Sequence, residues 1–248
     1  MKSLSIKTKL ILFLLGFAVF LLIKDKDAAF LIMMVVALVS VIITDLSFCY
    51  FKNRSFSISE SSIVSGLIIG FVLSSDNPWW IIVLACLLAI SSKYLIRFNK
   101  KHVFNPAVFG IFLCIIVFGA STQWRGTYFW YILLPIGLYF TYKIRKIELI
   151  MGYFLTALGA FGVQAALNKV PLVNIFGYLS YFYIFIMLIE PKTTPIKPLA
   201  KLIFGIGVAG LIFVLIQAQV KVDSELAALL ILNIFTPLLN KVPERRAI

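Results

Sequence analysis

The residues of this chain that could do chemistry are polar or charged groups set inside, or at the edges of, long apolar runs. Asp45 closes one such run and is followed by Leu46-Ser47-Phe48, with Lys52 and Arg54 beyond. Glu190 closes another and is followed by Pro191, Lys192, Thr193, Thr194 and Pro195. Asn105-Pro106 opens a third, within KHVFNPAVFG at Lys101–Gly110. A carboxylate at membrane depth is costly to keep and marks an ion or proton path by default. The oxygens of Asn105, Thr193 and Thr194 suit a hard cation or a polar ligand group. The candidate pathway is therefore Asp45, Asn105, Pro106, Glu190, Lys192, Thr193 and Thr194. An interfacial carboxylate paired with Lys52 or Arg54 is the competing reading of Asp45. Glu60 and Asp76, flanking a short apolar run, are read as aqueous.

Proline after a polar residue breaks a helix, because it lacks an N–H and restricts the residue before it. Lipid offers no partner for the backbone groups so released. Such breaks persist only where protein buries them or a cavity solvates them. Two breaks in separate halves of one chain point to a transport or cofactor site between broken helices.

Composition sets the class that must position these groups. The chain is 62% hydrophobic and only 13% charged, too apolar for a soluble core. It reads as an all-α polytopic membrane protein, with the lipid bilayer as its first partner. The net charge of +13 does not imply nucleic acid, since the basic residues lie in short clusters between apolar runs.

Ten apolar segments are expected, near residues 10–23, 28–48, 62–73, 79–95, 105–120, 128–142, 149–167, 170–189, 199–218 and 226–240. The runs at 62–73 and from Asn105 are short enough to be half-helices. Counting the N-terminus as loop zero, even-numbered loops hold eighteen of the 23 lysines and arginines. That bias predicts a multi-pass protein of the cytoplasmic membrane with both termini cytoplasmic. Lys2, Lys7 and Lys9 before Leu10–Ile23 resemble a signal peptide, but no small-x-small site follows, so a retained first helix is expected. The whole chain, 1–248, reads as one membrane domain of two inverted five-helix repeats, about 1–127 and 128–248. Ser61–Leu73 and Met151–Val163 look like matching small-residue-rich segments, each about forty residues before an X-Pro break.

Several motif matches do not carry the function they formally suggest. Gly205-Ile206-Gly207-Val208-Ala209-Gly210 fits G-x-G-x-x-G but lies in an apolar helix without a preceding strand, where small residues serve close packing. Asn53-Arg54-Ser55 is a sequon on the cytoplasmic side. Asn105-Pro106-Ala107 matches the aquaporin tripeptide, but no second copy exists and ten segments exceed six. Cys49, Cys86 and Cys114 are too scattered for a metal centre, and none is expected. His102 sits among Lys100 and Lys101 and is expected solvated or lipid-facing.

Taken together, Ser62–Leu73 with Asn77-Pro78-Trp79-Trp80, then Phe104-Asn105-Pro106-Ala107, Met187–Pro195, Leu202–Gly205 and Leu232–Leu238 resemble the RnfD/NqrB family. These are flavin-carrying membrane subunits of ion-translocating redox complexes. Where the family reads Asp-Pro-x-Thr-x-Pro, this chain has Glu190-Pro191-Lys192-Thr193-Thr194-Pro195. The resemblance implies a redox-driven ion-translocating electron transport complex, with other membrane subunits carrying the remaining redox centres. The chain itself would be at most a flavin-carrying or non-catalytic subunit, and no catalytic residue is assigned. The family joins FMN to a threonine in Ser/Thr-Gly-Ala-Thr, in a loop between its fifth and sixth helices. Here that loop is Ser121–Gly126, and Gly119-Ala120-Ser121-Thr122 scrambles the order. Thr122 is thus a weak candidate for covalent FMN, and non-covalent FMN or riboflavin is the form the resemblance leaves. Trp79, Trp80, Trp124 and Trp130 could stack on a flavin, though interfacial belting is their commoner role. A stand-alone channel or transporter for a flavin-like or urea-like solute is the alternative function.

Overall fold

The computed structural model describes residues 4–54, 56–99, 101–171, 175–177 and 179–241. Lys2, Lys100, Ser55 of the sequon and part of the expected 170–189 segment lie outside them. Two compact units divide the chain, Met1–Phe129 and Trp130–Ile248.

The first unit holds α1 (Ile6–Asp25), α2 (Ala28–Asn53), α3 (Glu60–Val72), α4 (Trp79–Leu95) and α5 (Pro106–Phe118). The tight α1–α2 turn follows from Lys26 in the left-handed region and Asp27, whose carboxylate accepts from the Phe30 N–H at 3.1 Å. This carboxylate cap starts α2 without a linker. α3 and α5 have 13 residues each, about 20 Å of rise, well short of the roughly 30 Å of hydrocarbon. α3 lies antiparallel to α2, with Gly66 against Val41 and Gly70 against Met34. α4 then runs parallel to α2: Cys86 Sγ meets the Ala37 carbonyl at 3.6 Å, and Tyr94 stacks on Phe48 at 4.9 Å. α5 returns along α4, so close at Gly110 that a Cβ there would collide with the Ala85 carbonyl.

A feature absent from the all-α expectation is a two-residue hairpin pairing β1 (Arg97–Phe98) with β2 (Lys101–His102). Alternation along a strand turns Lys101 outward and His102 inward. His102 is buried, correcting its expected solvated or lipid-facing position.

The second unit holds α6 (Trp130–Lys143), α7 (Ile147–Leu167), α8 (Pro198–Gln217) and α9 (Ser224–Leu239). α7 and α8 run parallel in contact along their length: Glu148 meets Lys201, Gly152 meets Leu202, Gly205 meets Leu149 and Phe161 meets Phe213. A Cβ at Gly205 or Gly152 would collide with backbone carbonyl oxygen, so the glycine motif at 205–210 is a packing seam. Gly207 packs on Leu232 of α9.

Parallel packing of consecutive long helices forces the chain to travel back between them. That return is residues 168–197, and it is not the continuous helix expected over 170–189. A 3₁₀ turn covers 175–177, and helical turns restart at Tyr181, where Ser180 Oγ accepts from the Tyr183 N–H at 3.4 Å. They wind into a π turn at Tyr183–Met187, with the Leu188 N–H on the Tyr183 carbonyl at 2.9 Å. Pro171 and Gly177 are the breakers that prevent one long helix. Gly137 of α6 packs directly on Phe185 of the π turn.

Among the described residues four helices, Ile6–Asp25, Ala28–Lys52, Ile147–Leu167 and Pro198–Gln217, are long and apolar enough to cross a membrane. Trp79, Trp80 and Trp130 are exposed, as belting residues are.

Candidate functional site

Asp45 lies in the C-terminal half of α2 with no exposure to solvent. Its partner is neither Lys52 nor Arg54. Lys93, in the last turn of α4, places Nζ 3.0 Å from Asp45 Oδ1. The parallel packing of α2 and α4 brings these residues level, which their distance in sequence conceals. Tyr94 OH donates to the same oxygen at 2.8 Å, and the Ser59 N–H donates to Oδ2 at 2.8 Å. Lys93 Nζ also donates to Ser62 Oγ at 2.7 Å and to Ser59 Oγ. Ser59 is the N-cap of α3 and Ser62 sits in its first turn, so one ion pair pins the start of a short helix to two others. A carboxylate at that N-terminus also complements its dipole.

Sequence reasoning singled out Asp45 but missed Lys93, Ser59, Ser62 and Tyr94. The eighteen basic residues counted for the even-numbered loops include Lys93 and Lys201, yet both lie in helices, are buried and pair with acids. The signal available was a lone lysine within the apolar run 79–95. Removing both lysines from the loop count leaves the basic bias of the even-numbered loops intact.

The break at Glu190–Pro195 is held by side chains from beyond α6 and from α9. Asn233 Nδ2 and Thr236 Oγ1, three residues apart on α9, donate to the Thr193 carbonyl at 3.2 and 2.8 Å. Lys146 Nζ donates to the Pro195 carbonyl at 2.6 Å and to that of Thr194 at 3.4 Å. Thr194 Oγ1 donates to the Glu190 carbonyl at 2.6 Å, and Thr193 Oγ1 to Glu190 Oε2 at 3.4 Å. These backbone oxygens of the broken segment thus meet side-chain donors, as a break at membrane depth requires. Thr193 and Thr194 are buried, Glu190 is half-buried and Lys192 is exposed. Lys146, Asn233 and Thr236 were not foreseen, and neither was Glu225, which shares a hydrogen bond with Ser180.

In the first unit the break after α3 is closed by backbone. The loop Ser121–Gly126 folds onto the end of α3, where Gln123 N–H reaches the Val72 carbonyl at 2.7 Å and Arg125 N–H the Phe71 carbonyl at 2.8 Å. Thr122 sits opposite Leu73 in an antiparallel bridge. Asn77 exchanges two hydrogen bonds with the Ser121 backbone, at 2.9 and 3.0 Å. Arg125 is buried, paired with Asp27 and bonded to Ser75 Oγ at 2.9 Å, with its guanidinium over the Phe30 ring. A flavin phosphate on Thr122 would need that threonine in a presented attachment sequence. Here Thr122 is a half-exposed bridge residue in a six-residue clasp. Asn105, buried with Pro106, caps α5 by accepting from the Val108 N–H at 3.3 Å.

Long apolar helices, helix breaks wrapped by donors and ion pairs buried between helices define a polytopic α-helical membrane protein. The chain belongs to the NQR2, RnfD, RnfE family, whose model matches residues 2–128 and 131–248. Over 76 residues it is 34% identical to the D subunit of the ion-translocating oxidoreductase complex of Buchnera aphidicola subsp. Schizaphis graminum (strain Sg). That stretch is 30% of this chain and 21% of the relative, so the match spans about a fifth of the relative's length.

Proposed function

We propose that this chain is a membrane subunit of a redox-driven ion-translocating electron transport complex, and that its buried polar centres line the ion's path. The observation carrying this reading is the family match, which extends through both halves of the chain. The pathway residues are Asp45 with Asn105 and Pro106 in the first unit, and Glu190, Lys192, Thr193 and Thr194 in the second. The units are inverted repeats in this reading, with α2 corresponding to α7 and α4 to α8. Two matching pairs of parallel helices support that register over one pairing Ser61–Leu73 with Met151–Val163. Both termini are cytoplasmic in this reading. Electrons arrive from partner membrane subunits, and flavin associated with this chain is FMN or riboflavin without a covalent link. Acid precipitation of the purified protein tests the last point: yellow colour in the supernatant supports it, and colour in the pellet overturns it.

The test of the pathway is Glu190→Gln in the assembled complex. Ion uptake driven by electron transfer is expected to fall strongly while the chain still inserts and assembles. Uptake at the wild-type rate removes Glu190 from the path. One observation favours the alternative, a stand-alone channel for a flavin-like or urea-like solute: the clasp at Ser121–Gly126 replaces the family's attachment loop. Solute flux into liposomes holding this chain alone would favour that alternative, and its absence the redox reading.

A further inference from the structure

Three side-chain oxygens converge on the Lys93 ammonium: Asp45 Oδ1 at 3.0 Å, Ser62 Oγ at 2.7 Å, and Ser59 Oγ. An ammonium has three N–H donors, and these acceptors use all of them. One carboxylate and two hydroxyls are also the all-oxygen donor set that hard cations prefer. The oxygens come from α2 and from the start of α3, so they belong to the scaffold and not to the lysine's own helix. The carboxylate is held independently of Lys93, by Tyr94 OH on Oδ1 and the Ser59 N–H on Oδ2, each at 2.8 Å. It therefore keeps its place when the ammonium leaves.

We propose that Asp45, Ser59 and Ser62 form a binding site for a monovalent cation of the Na⁺ type, with the Lys93 ammonium as its tethered, competing occupant. The two cannot share it, because one carboxylate neutralises one positive charge. Entry of Na⁺ displaces the ammonium, and return of the ammonium expels Na⁺. Lys93 swings on a flexible four-carbon stem, so one side-chain movement opens and closes the site. This deepens the functional reading above, on which it rests for the claim that the bound ion travels; binding itself is measured without electron transfer.

The experiment compares the detergent-purified full chain, wild type and Lys93→Ala, in NaCl and in choline chloride at one pH. Alanine removes the tethered charge and leaves room. Lys93→Ala is expected to retain about one ²²Na⁺ per chain with at least tenfold tighter binding than wild type. NaCl is expected to raise its unfolding temperature by about 5 °C over choline. Asp45→Asn/Lys93→Ala is expected to lose both responses. Equal ²²Na⁺ binding by wild type and Lys93→Ala overturns the site. If Lys93→Ala folds in neither salt while Asp45→Asn/Lys93→Met folds in both, Lys93 is only a counter-ion and the proposal also fails. ²²Na⁺ binding by Lys93→Ala in a complex that moves no ion would sink the functional reading and leave the site standing.

Discussion

Between α2 and α4 the buried Lys93 meets an acid with no exposure, whereas between α7 and α8 the equally buried Lys201 meets one that is 40% exposed. The helix pairs are alike, since both are parallel and both carry the lysine on the later helix. The difference lies in what else holds the acid. Asp45 accepts from Tyr94, Ser59 and Lys93 and is enclosed by three helices. Glu148 stands in the first turn of α7, where water reaches it. Lys201 is itself buried and donates to Glu148 Oε2 at 3.2 Å. A buried pair binds its helices through mutual dependence, because each charge is intolerable without the other. A half-solvated pair carries less of that penalty. There the close approach of Gly152 and Gly205 to facing carbonyls does the joining.

The largest expected effect separates the two directly. Lys93→Met fills the lysine's space with an apolar chain and leaves the Asp45 carboxylate buried without its cation. A loss of about 3–5 kcal/mol is expected. Asp45→Asn/Lys93→Met should recover most of it, because the double change removes both charges. Unfolding of the purified variants by heat or denaturant, followed through the four tryptophans, reads the effect. A loss unrelieved in the double variant would mean that packing, not charge, makes Lys93 matter.

How far sequence reading reached follows from the same comparison. Helix positions were legible because apolar runs and prolines act locally: Trp79–Leu95 was anticipated to the residue, and Asn105 caps α5 where the Asn-Pro step placed its start. Ion-pair partners were not legible, because they depend on which helices pack in parallel. Asp45 had basic residues close by in Lys52 and Arg54, yet its partner comes from α4, 48 positions along. Lys93 was hidden for a further reason, since basic residues near segment ends ordinarily report topology. Burial of His102 depended on a hairpin too short for alternation to reveal. The Glu190–Pro195 break was legible from its prolines, but the donors that satisfy it, Lys146, Asn233 and Thr236, lie forty or more positions from the carbonyls they meet.

Asp27 and Arg125 supply an intermediate case in the first unit, with a buried guanidinium on a partly exposed carboxylate. The Phe30 backbone N–H holds the Asp27 carboxyl below its usual range, and Arg125 adds to this against the opposing cost of burial. A carboxyl depressed in the folded state contributes stability above its unfolded value, near 3.8, and loses it as pH falls through the lower folded value. Asp27→Asn should therefore cost about 1 kcal/mol at pH 7. The gap from wild type should close only below the unfolded value. A gap that stays constant down to pH 3 would assign the effect to geometry and not to charge.

The smallest effect is expected at the exposed pair. Glu148 keeps its hydration when Lys201 is lost, so Lys201→Met leaves no buried charge behind. Its apolar stem also substitutes for the packing of the lysine's methylenes. The change should alter stability by less than about 1 kcal/mol, whereas Glu148→Gln leaves the buried Lys201 ammonium without its carboxylate and should cost more. The double variant should relieve that cost, with a coupling smaller than the one expected between Asp45 and Lys93. High salt should shrink what coupling exists, since exposed charges are screened and enclosed ones are not. If the Glu148–Lys201 cycle instead shows coupling as large and salt-resistant as the Asp45–Lys93 cycle, solvent access to one acid is not what distinguishes the two units. The α7–α8 seam would then depend on charge as well as on its glycines.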